Sequence, residues 1–307
     1  MTVEAAVRER ALGALLGLAT GDALGTTLEF AERDAAPLLT RMVGGGPFRL
    51  APGEWTDDTS MALALADSLA AAPSLDERDL MQRFLSWWKR GEYSHNGRCF
   101  DIGNATRTAL TRFQSTGDPI AGDEHTQSAG NGSIMRLAPA VIANLESEAA
   151  AVDAAQRQGR TTHRAPQCEA ACALLAAVLF RLIHGKAWQA ALDVPADPAW
   201  PRAIRRLGQG GWRGKSRGAI SSSGYVADTL EAAFWCVDRS ESFAEAVLLA
   251  ANLADDADTV AAVTGQLAGA RWSRAGIPAE WLRLLAWRER IEEAADRLLR
   301  PVPPTEN

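Results

Sequence analysis

Trp55-Thr56-Asp57-Asp58-Thr59 sets two adjacent carboxylates and two hydroxyls at the point where a helix begins. Thr56 is a good N-cap, and Met61, Ala62, Leu65 and Leu69 follow at the spacing of one buried helical face, up to Pro73. Acidic residues in a first turn have an ordinary explanation, since they offset the positive end of the helix dipole. A second cluster changes the reading: Asp255-Asp256-Ala257-Asp258-Thr259 opens another apolar helix through Val260, Val263 and Leu267. Like charges ~4 Å apart repel by about 4 kcal/mol at an intermediate dielectric, so two such clusters facing one another need cations between them. An all-oxygen ligand set suits Mg²⁺ or Mn²⁺, and two facing clusters suit a pair of ions.

The composition narrows what surrounds this site. The chain has 307 residues, 47% apolar and 23% charged, with abundant Ala and few β-branched residues, which favours helices. The net charge of -6 gives no general affinity for nucleic acid or for an anionic membrane. Cys99, Cys168, Cys172 and Cys236 lack paired spacing and read as small buried apolar residues. No signal peptide pattern opens the chain, and the longest apolar run, from Ala170 to Phe180, is too short to span a bilayer. A cytoplasmic protein without a transmembrane segment is expected.

Outward from the two clusters, the pattern stays helical. Val7, Leu12, Leu15, Leu16 and Ala19 predict an opening helix that ends in Gly21-Asp22-Ala23-Leu24-Gly25, with Glu29 just beyond. Ser74 and Glu77 predict a capping box before a helix carrying Phe84, Trp87 and Trp88. Cys99-Phe100-Asp101-Ile102-Gly103-Asn104 reads as a further helix start, with Asp101 as a local Asx cap. Gly130-Asn131-Gly132-Ser133-Ile134-Met135-Arg136 is a Gly-rich turn entering a helix near Leu137, so free N–H groups and the helix dipole converge on an anion there. Thr161-Thr162-His163 precedes a long helix closed by Gly185, and Ser223-Gly224-Tyr225 opens another. Between Pro198 and Ala227, Arg202, Arg205, Arg206, Arg213, Lys215 and Arg217 stand without an acidic neighbour. That patch reads either as a solvated loop or as a docking face for an acidic partner or the substrate's phosphates. With no alternating strands, an all-α fold follows: a single domain over residues 1–300, then a flexible tail over 301–307.

Taken in order, Gly-Asp-Ala-Leu-Gly, Trp-Thr-Asp-Asp-Thr, Phe-Asp-Ile-Gly-Asn, Gly-Asn-Gly-Ser-Ile-Met-Arg and Asp-Asp-Ala-Asp-Thr resemble the ADP-ribosylglycohydrolase family. The resemblance runs from about Arg8 to Arg271 and is strongest toward the dinitrogenase reductase-activating branch. It implies a compact all-α fold with a binuclear Mg²⁺ or Mn²⁺ centre in a cleft. The implied metal ligands are Thr56, Asp57, Asp58, Asp256, Asp258 and Thr259. Asp101 and Glu29 become the implied acid/base groups. Gly130, Asn131, Gly132 and Ser133 would hold the diphosphate, Asn104 and His163 would line the pocket, and Tyr225 would stack on adenine. Many relatives carry Gly-Gly-Asp-Thr-Asp-Thr where this chain has Ala254-Asp255-Asp256-Ala257-Asp258-Thr259, which keeps the ligand carboxylates and alters the approach to the distal ribose.

The activity implied is hydrolysis of the N-glycosidic bond joining ADP-ribose to a protein side chain, arginine first, with ADP-ribose as product. A nitrogenase-type iron protein is the target that the branch implies. Three other readings stay open. One is the same chemistry on a serine ether, an acetyl ester or a nucleic acid end. A second is an isoprenoid synthase, although Asp57-Asp58 is followed by Thr59, Ser60 and Met61 rather than completing DDxxD. A third is an ADP-ribose binder without catalysis.

Overall fold

The computed structural model describes residues 3–72 and 74–300. Its helices, in chain order, are α1 (Ala5–Gly25), α2 (Asp57–Ala71), α3 (Glu77–Arg90), α4 (Asn104–Thr116), α5 (Ala138–Ile142), α6 (Glu148–Arg160) and α7 (Pro166–Ile183). They continue as α8 (Trp188–Ala191), α9 (Arg202–Gly208), α10 (Val226–Asp238), α11 (Phe243–Ala251), α12 (Ala257–Trp272), α13 (Ala279–Leu284) and α14 (Arg288–Leu298). Extended pairing among the described residues is limited to isolated bridges, so the all-α expectation holds. One continuous hydrophobic cluster takes residues from α1 through α14. The tail from 301 to 307, and Pro73 as the stop of α2, lie outside the described residues.

The centre of the bundle is an antiparallel pair, α1 against α12, in direct backbone contact. A Cβ placed at Gly17 would lie 2.1 Å from the Gly265 carbonyl oxygen, and one at Gly21 would lie 2.0 Å from that of Ala261. Gly13 faces Gly269 and Gly25 faces Ala257 in the same way. Glycine recurs every fourth residue because only a missing side chain lets two helix backbones approach this closely. The antiparallel register lays the C-terminal end of α1 beside the N-terminal end of α12. Acidic groups 236 residues apart in the chain, Asp22 and Asp258, are thereby brought to the same end of the pair.

Several local expectations change on the structure. Gly21–Gly25 is not a terminating turn, because α1 runs through it and its glycines serve the contact with α12. Asp76, not Ser74, caps α3, its Oδ1 accepting from the N–H groups of Arg78 at 2.9 Å and Asp79 at 3.1 Å. An Asp immediately before the helix reaches both free donors, whereas Ser74 stands two residues farther out. Thr56 holds the N-cap position of α2 without a side-chain cap. Asp101 does not cap α4, whose N-cap is Gly103. The helix after the Gly-rich turn is only five residues long, so its dipole adds little there. Ala5–Leu28 and Pro166–Ile183 have the length and mean hydropathy, 1.3 and 1.5, of a membrane span, longer than the apolar run read from sequence. Both are core helices, 94% and 72% buried by the rest of the chain.

Candidate metal-dependent active site

Four segments deliver acids to one point: the end of α1 with the turn after it, the starts of α2 and α12, and the loop before α4. Asp22, in the last turn of α1, accepts at Oδ1 from the Thr56 N–H and hydroxyl, both at 2.8 Å. Its Oδ2 accepts from the Thr59 N–H at 3.0 Å and from the Thr59 hydroxyl at 2.6 Å. Asp22 thus takes the free donors of α2 that a cap would take, which explains why the Thr56 side chain is turned elsewhere. Thr56 Oγ1 also lies 3.2 Å from Asp258 Oδ2, and Thr259 Oγ1 lies 3.4 Å from Asp58 Oδ2. The two clusters read from the sequence therefore face each other across hydroxyl contacts.

The carboxylates form two triads. Oxygens of Asp57, Asp58 and Asp258 lie within 4.8 Å of one another, and so do those of Glu29, Asp101 and Asp258. Asp258 is common to both. Glu29 Oε2 and Asp58 Oδ1 are buried without any hydrogen-bond partner among the described residues. Buried acceptors left unpaired cost free energy unless something else meets them, and a divalent cation among carboxylate oxygens is the simplest answer. Burial, then mutual repulsion, holds Asp57, Asp58 and Asp258 well above the usual carboxylate range. The same two causes push Glu29 up to about 9 and Asp101 up to about 7. A chain without cations would relieve this crowding only by taking up protons.

Backbone strain gathers at the same place. Phe30, Asp101, Ala254 and Asp255 are non-glycine residues in the left-handed region, with φ of +58°, +59°, +59° and +61°. Such positions cost roughly 1–2 kcal/mol each and persist where surrounding bonds enforce them. Here the Phe30 N–H donates to the Asp255 carbonyl at 2.7 Å and the Asp255 N–H donates to the Ala31 carbonyl at 3.0 Å. That bridge sets Glu29 beside Asp255, the residue before Asp256.

The Gly-rich turn forms the adjoining wall. Asn131 Nδ2 donates to Asp256 Oδ2 at 2.6 Å and to Thr229 Oγ1 at 2.9 Å, so this side chain orients a cluster acid. The Asn131 N–H donates to the Gly224 carbonyl and the Val226 N–H to the Ala129 carbonyl, bringing half-buried Tyr225 beside Gly130. Gly132 and Ser133 make no backbone N–H hydrogen bond among the described residues, leaving two donors for an anion. The Ser133 hydroxyl is itself wholly buried and has no partner among the described residues. His163 packs its ring against Gly132, where a Cβ would lie 2.5 Å from His163 Cε1. Burial, with the nearby Arg136 charge adding, pushes this imidazole down to about 3 and keeps it neutral. Asn104 is exposed at the start of α4.

Two residues of the quoted motifs matter more than their spacing suggested. Asp22 is one. Arg136 is the other: wholly buried, it donates to Gly132 O at 2.8 Å, Gln158 Oε1 at 2.9 Å and Thr162 Oγ1 at 2.8 Å, tying the turn to the segment before His163. The Arg-rich stretch is partly neutralised, since Lys215 pairs with Glu231 at 2.6 Å and Arg217 with Asp34 at 2.8 Å.

A family model described as ADP-ribosylglycohydrolase matches residues 3–306. The chain belongs to the ADP-ribosylglycohydrolase family. It is 48% identical over 96% of its length, and 79% of the relative's, to "ADP-ribosylarginine hydrolase Tri1" of Pseudomonas putida (strain GB-1). Identity to "ADP-ribosyl-[dinitrogen reductase] glycohydrolase" of Rhodospirillum rubrum is 35%, over 95% of this chain and 96% of that one. A solved structure titled "ADP-ribosylglycohydrolase-related protein complex" superposes with a TM-score of 0.85 at 42% identity, covering 96% of this chain and 98% of its own. The chain is therefore a glycohydrolase, and its acidic groups could hold metal. The expected resemblance to the dinitrogen reductase branch is present, with higher identity to the ADP-ribosylarginine hydrolase.

Proposed function

We propose that this chain cleaves the N-glycosidic bond between ADP-ribose and a modified arginine of a protein, with two Mg²⁺ or Mn²⁺ ions as cofactors. The observation that carries the reading is the pair of carboxylate triads joined at Asp258, with unpartnered buried oxygens on Glu29 and Asp58. Thr56, Asp57, Asp58, Asp256, Asp258 and Thr259 would hold the ions. Glu29 joins them, since it is buried with one free oxygen, which fits a ligand better than the acid/base role first expected. Bound ions supply charge neutralisation for the acids and polarise the ribose hydroxyls and a water.

The remaining residues bind, orient and move protons. Asp101 is half-exposed beside Glu29 and Asp258, so it is the carboxyl group able to meet the leaving guanidine and transfer a proton there. Positive charge developing on the ribose is stabilised by the surrounding carboxylates. The free N–H groups of Gly132 and Ser133 offer donors to the diphosphate, in a turn held in place by the Gly130 and Asn131 N–H bonds to Ser128 and Gly224, with Tyr225 beside it for the adenine. His163, neutral and packed under Gly132, shapes that cradle, and Asn104, exposed at the start of α4, would line the pocket.

Arginine linkage is supported by the relative of higher identity, whose printed name specifies it. A nitrogenase-type iron protein as target has support only from the 35% relative. A single domain over residues 1–300 is supported by the one continuous core, and a cytoplasmic setting by four free cysteines. The test is incubation with arginine-, serine- and ester-linked ADP-ribosyl substrates, with and without chelator, scoring free ADP-ribose. Metal-dependent release from arginine alone is expected. Release only from a different linkage, or full release under exhaustive chelation, refutes the reading.

A further inference from the structure

We propose that Asp22 is a positioning residue that turns the Thr56 hydroxyl into a metal ligand, an inference resting on the metal-dependent reading above. Asp22 is wholly buried but belongs to neither carboxylate triad. Each of its oxygens receives one backbone N–H, from Thr56 at Oδ1 and from Thr59 at Oδ2. A backbone N–H only donates, so both oxygens are acceptors, and as a carboxylate Asp22 also draws both hydroxyl hydrogens to itself. Thr56 Oγ1 carries a single hydrogen. With that hydrogen taken by Asp22, the shorter of its two contacts at 2.8 Å, its lone pairs are left for a cation beside Asp258 Oδ2, 3.2 Å away. Without Asp22 the hydroxyl would donate to Asp258, presenting a hydrogen where a cation requires electrons.

The same four hydrogen bonds fix the first turn of α2, which carries Asp57 and Asp58. Asparagine cannot replace this carboxylate, because its NH₂ would confront either the Thr56 donors or the Thr59 donors. Asp22 itself cannot retreat, since Gly21 and Gly25 on either side of it are pressed against α12.

Mn²⁺ alone, titrated calorimetrically into the chelator-treated full chain, tests this, together with melting temperatures before and after Mn²⁺. Asp22→Asn should weaken Mn²⁺ binding tenfold or more, as loss of an outer partner of a metal ligand does, and should shrink the Mn²⁺-induced rise in Tm. In a Thr56→Val background the same change should add a smaller factor than in the parent, because the part of the effect carried by that hydroxyl is already gone, and an equal factor in both backgrounds overturns the proposal. A role in folding alone would lower both melting temperatures equally and leave the rise intact, which overturns the proposal. So does Mn²⁺ affinity within threefold of the parent. If Asp22→Asn does not fold, Asp22→Ser, which can accept one hydrogen bond and admits water, carries the same measurement and the same criteria. Failure of the parent chain to bind Mn²⁺ overturns the functional reading itself, whereas binding by both parent and variant overturns only the part given to Asp22.

Discussion

Asp258→Asn should stabilise the metal-free protein and remove most of the stabilisation that divalent cation gives the parent. Asp258 is the carboxylate common to both triads, with neighbouring oxygens within 4.8 Å. At that distance and an effective dielectric of ~20, one pair of charges repels by roughly 3 kcal/mol. Asparagine is nearly isosteric, and its Oδ1 can still accept the Thr259 N–H that Asp258 now accepts at 2.7 Å. The main change in metal-free protein is therefore relief of about 3 kcal/mol of repulsion at alkaline pH, which raises Tm by roughly 6 °C at ~2 °C per kcal/mol for a chain of this size. Saturating divalent cation should stabilise the parent by about 3 kcal/mol at a hundredfold excess over Kd, and the variant by far less. Loss of about 3 kcal/mol of charge stabilisation also slows turnover roughly a hundredfold. Differential scanning fluorimetry above pH 9, with chelator and with Mn²⁺, reads both arms. A variant that melts below the parent without metal, yet gains as much from Mn²⁺, would refute the shared-carboxylate account.

Three further outcomes follow from the same geometry. Metal-free protein should lose stability as pH rises from the ordinary carboxylate range toward 9: Glu29 is raised to about 9 and Asp101 to about 7, so the folded chain retains protons the unfolded chain has released, an advantage that vanishes on deprotonation. Urea melts between pH 5 and 9 with chelator check this, and Mn²⁺ should flatten the slope. Asp101→Asn should leave the fold and ADP-ribose affinity nearly unchanged while slowing turnover by about 10²-fold or more; unchanged turnover in a stopped assay removes Asp101 from proton transfer. Gly17→Ala places a methyl group 2.1 Å from the Gly265 carbonyl, so α1 and α12 must part, at about 2 kcal/mol or more by chemical denaturation.

The acid clusters were legible because each lies within five consecutive residues at a helix start, where two carboxylates together already call for an explanation. What joins them was not. Asp22 meets Thr56 and Thr59 across a long loop, and no local rule announces that a carboxylate 34 residues upstream will displace an N-cap threonine. The glycines at 13, 17, 21 and 25 were open to inspection as a four-residue repeat. Yet α1 and α12 are buried on nearly every side, so neither shows the one-sided apolar stripe that reveals a packing face, and a Gly cluster reads first as a stop. Ser74 stands out in the sequence because a capping box is a pattern, whereas which of two neighbouring residues caps the helix depends on where the chain turns. Buried Arg136 was visible only as the end of a Gly-rich motif, since its partners Gln158 and Thr162 lie on a different segment.

The glycine-lined crossing of α1 and α12 has a consequence for how the protein can vary. Side chains elsewhere in a core can be exchanged for others of similar volume, and the elements they separate drift by fractions of an ångström to suit. Between these two helices no such exchange exists, because there is nothing to trim or enlarge except the peptide planes. Substitutions in the loops around the acids therefore leave the gauge between the two banks of acids unchanged.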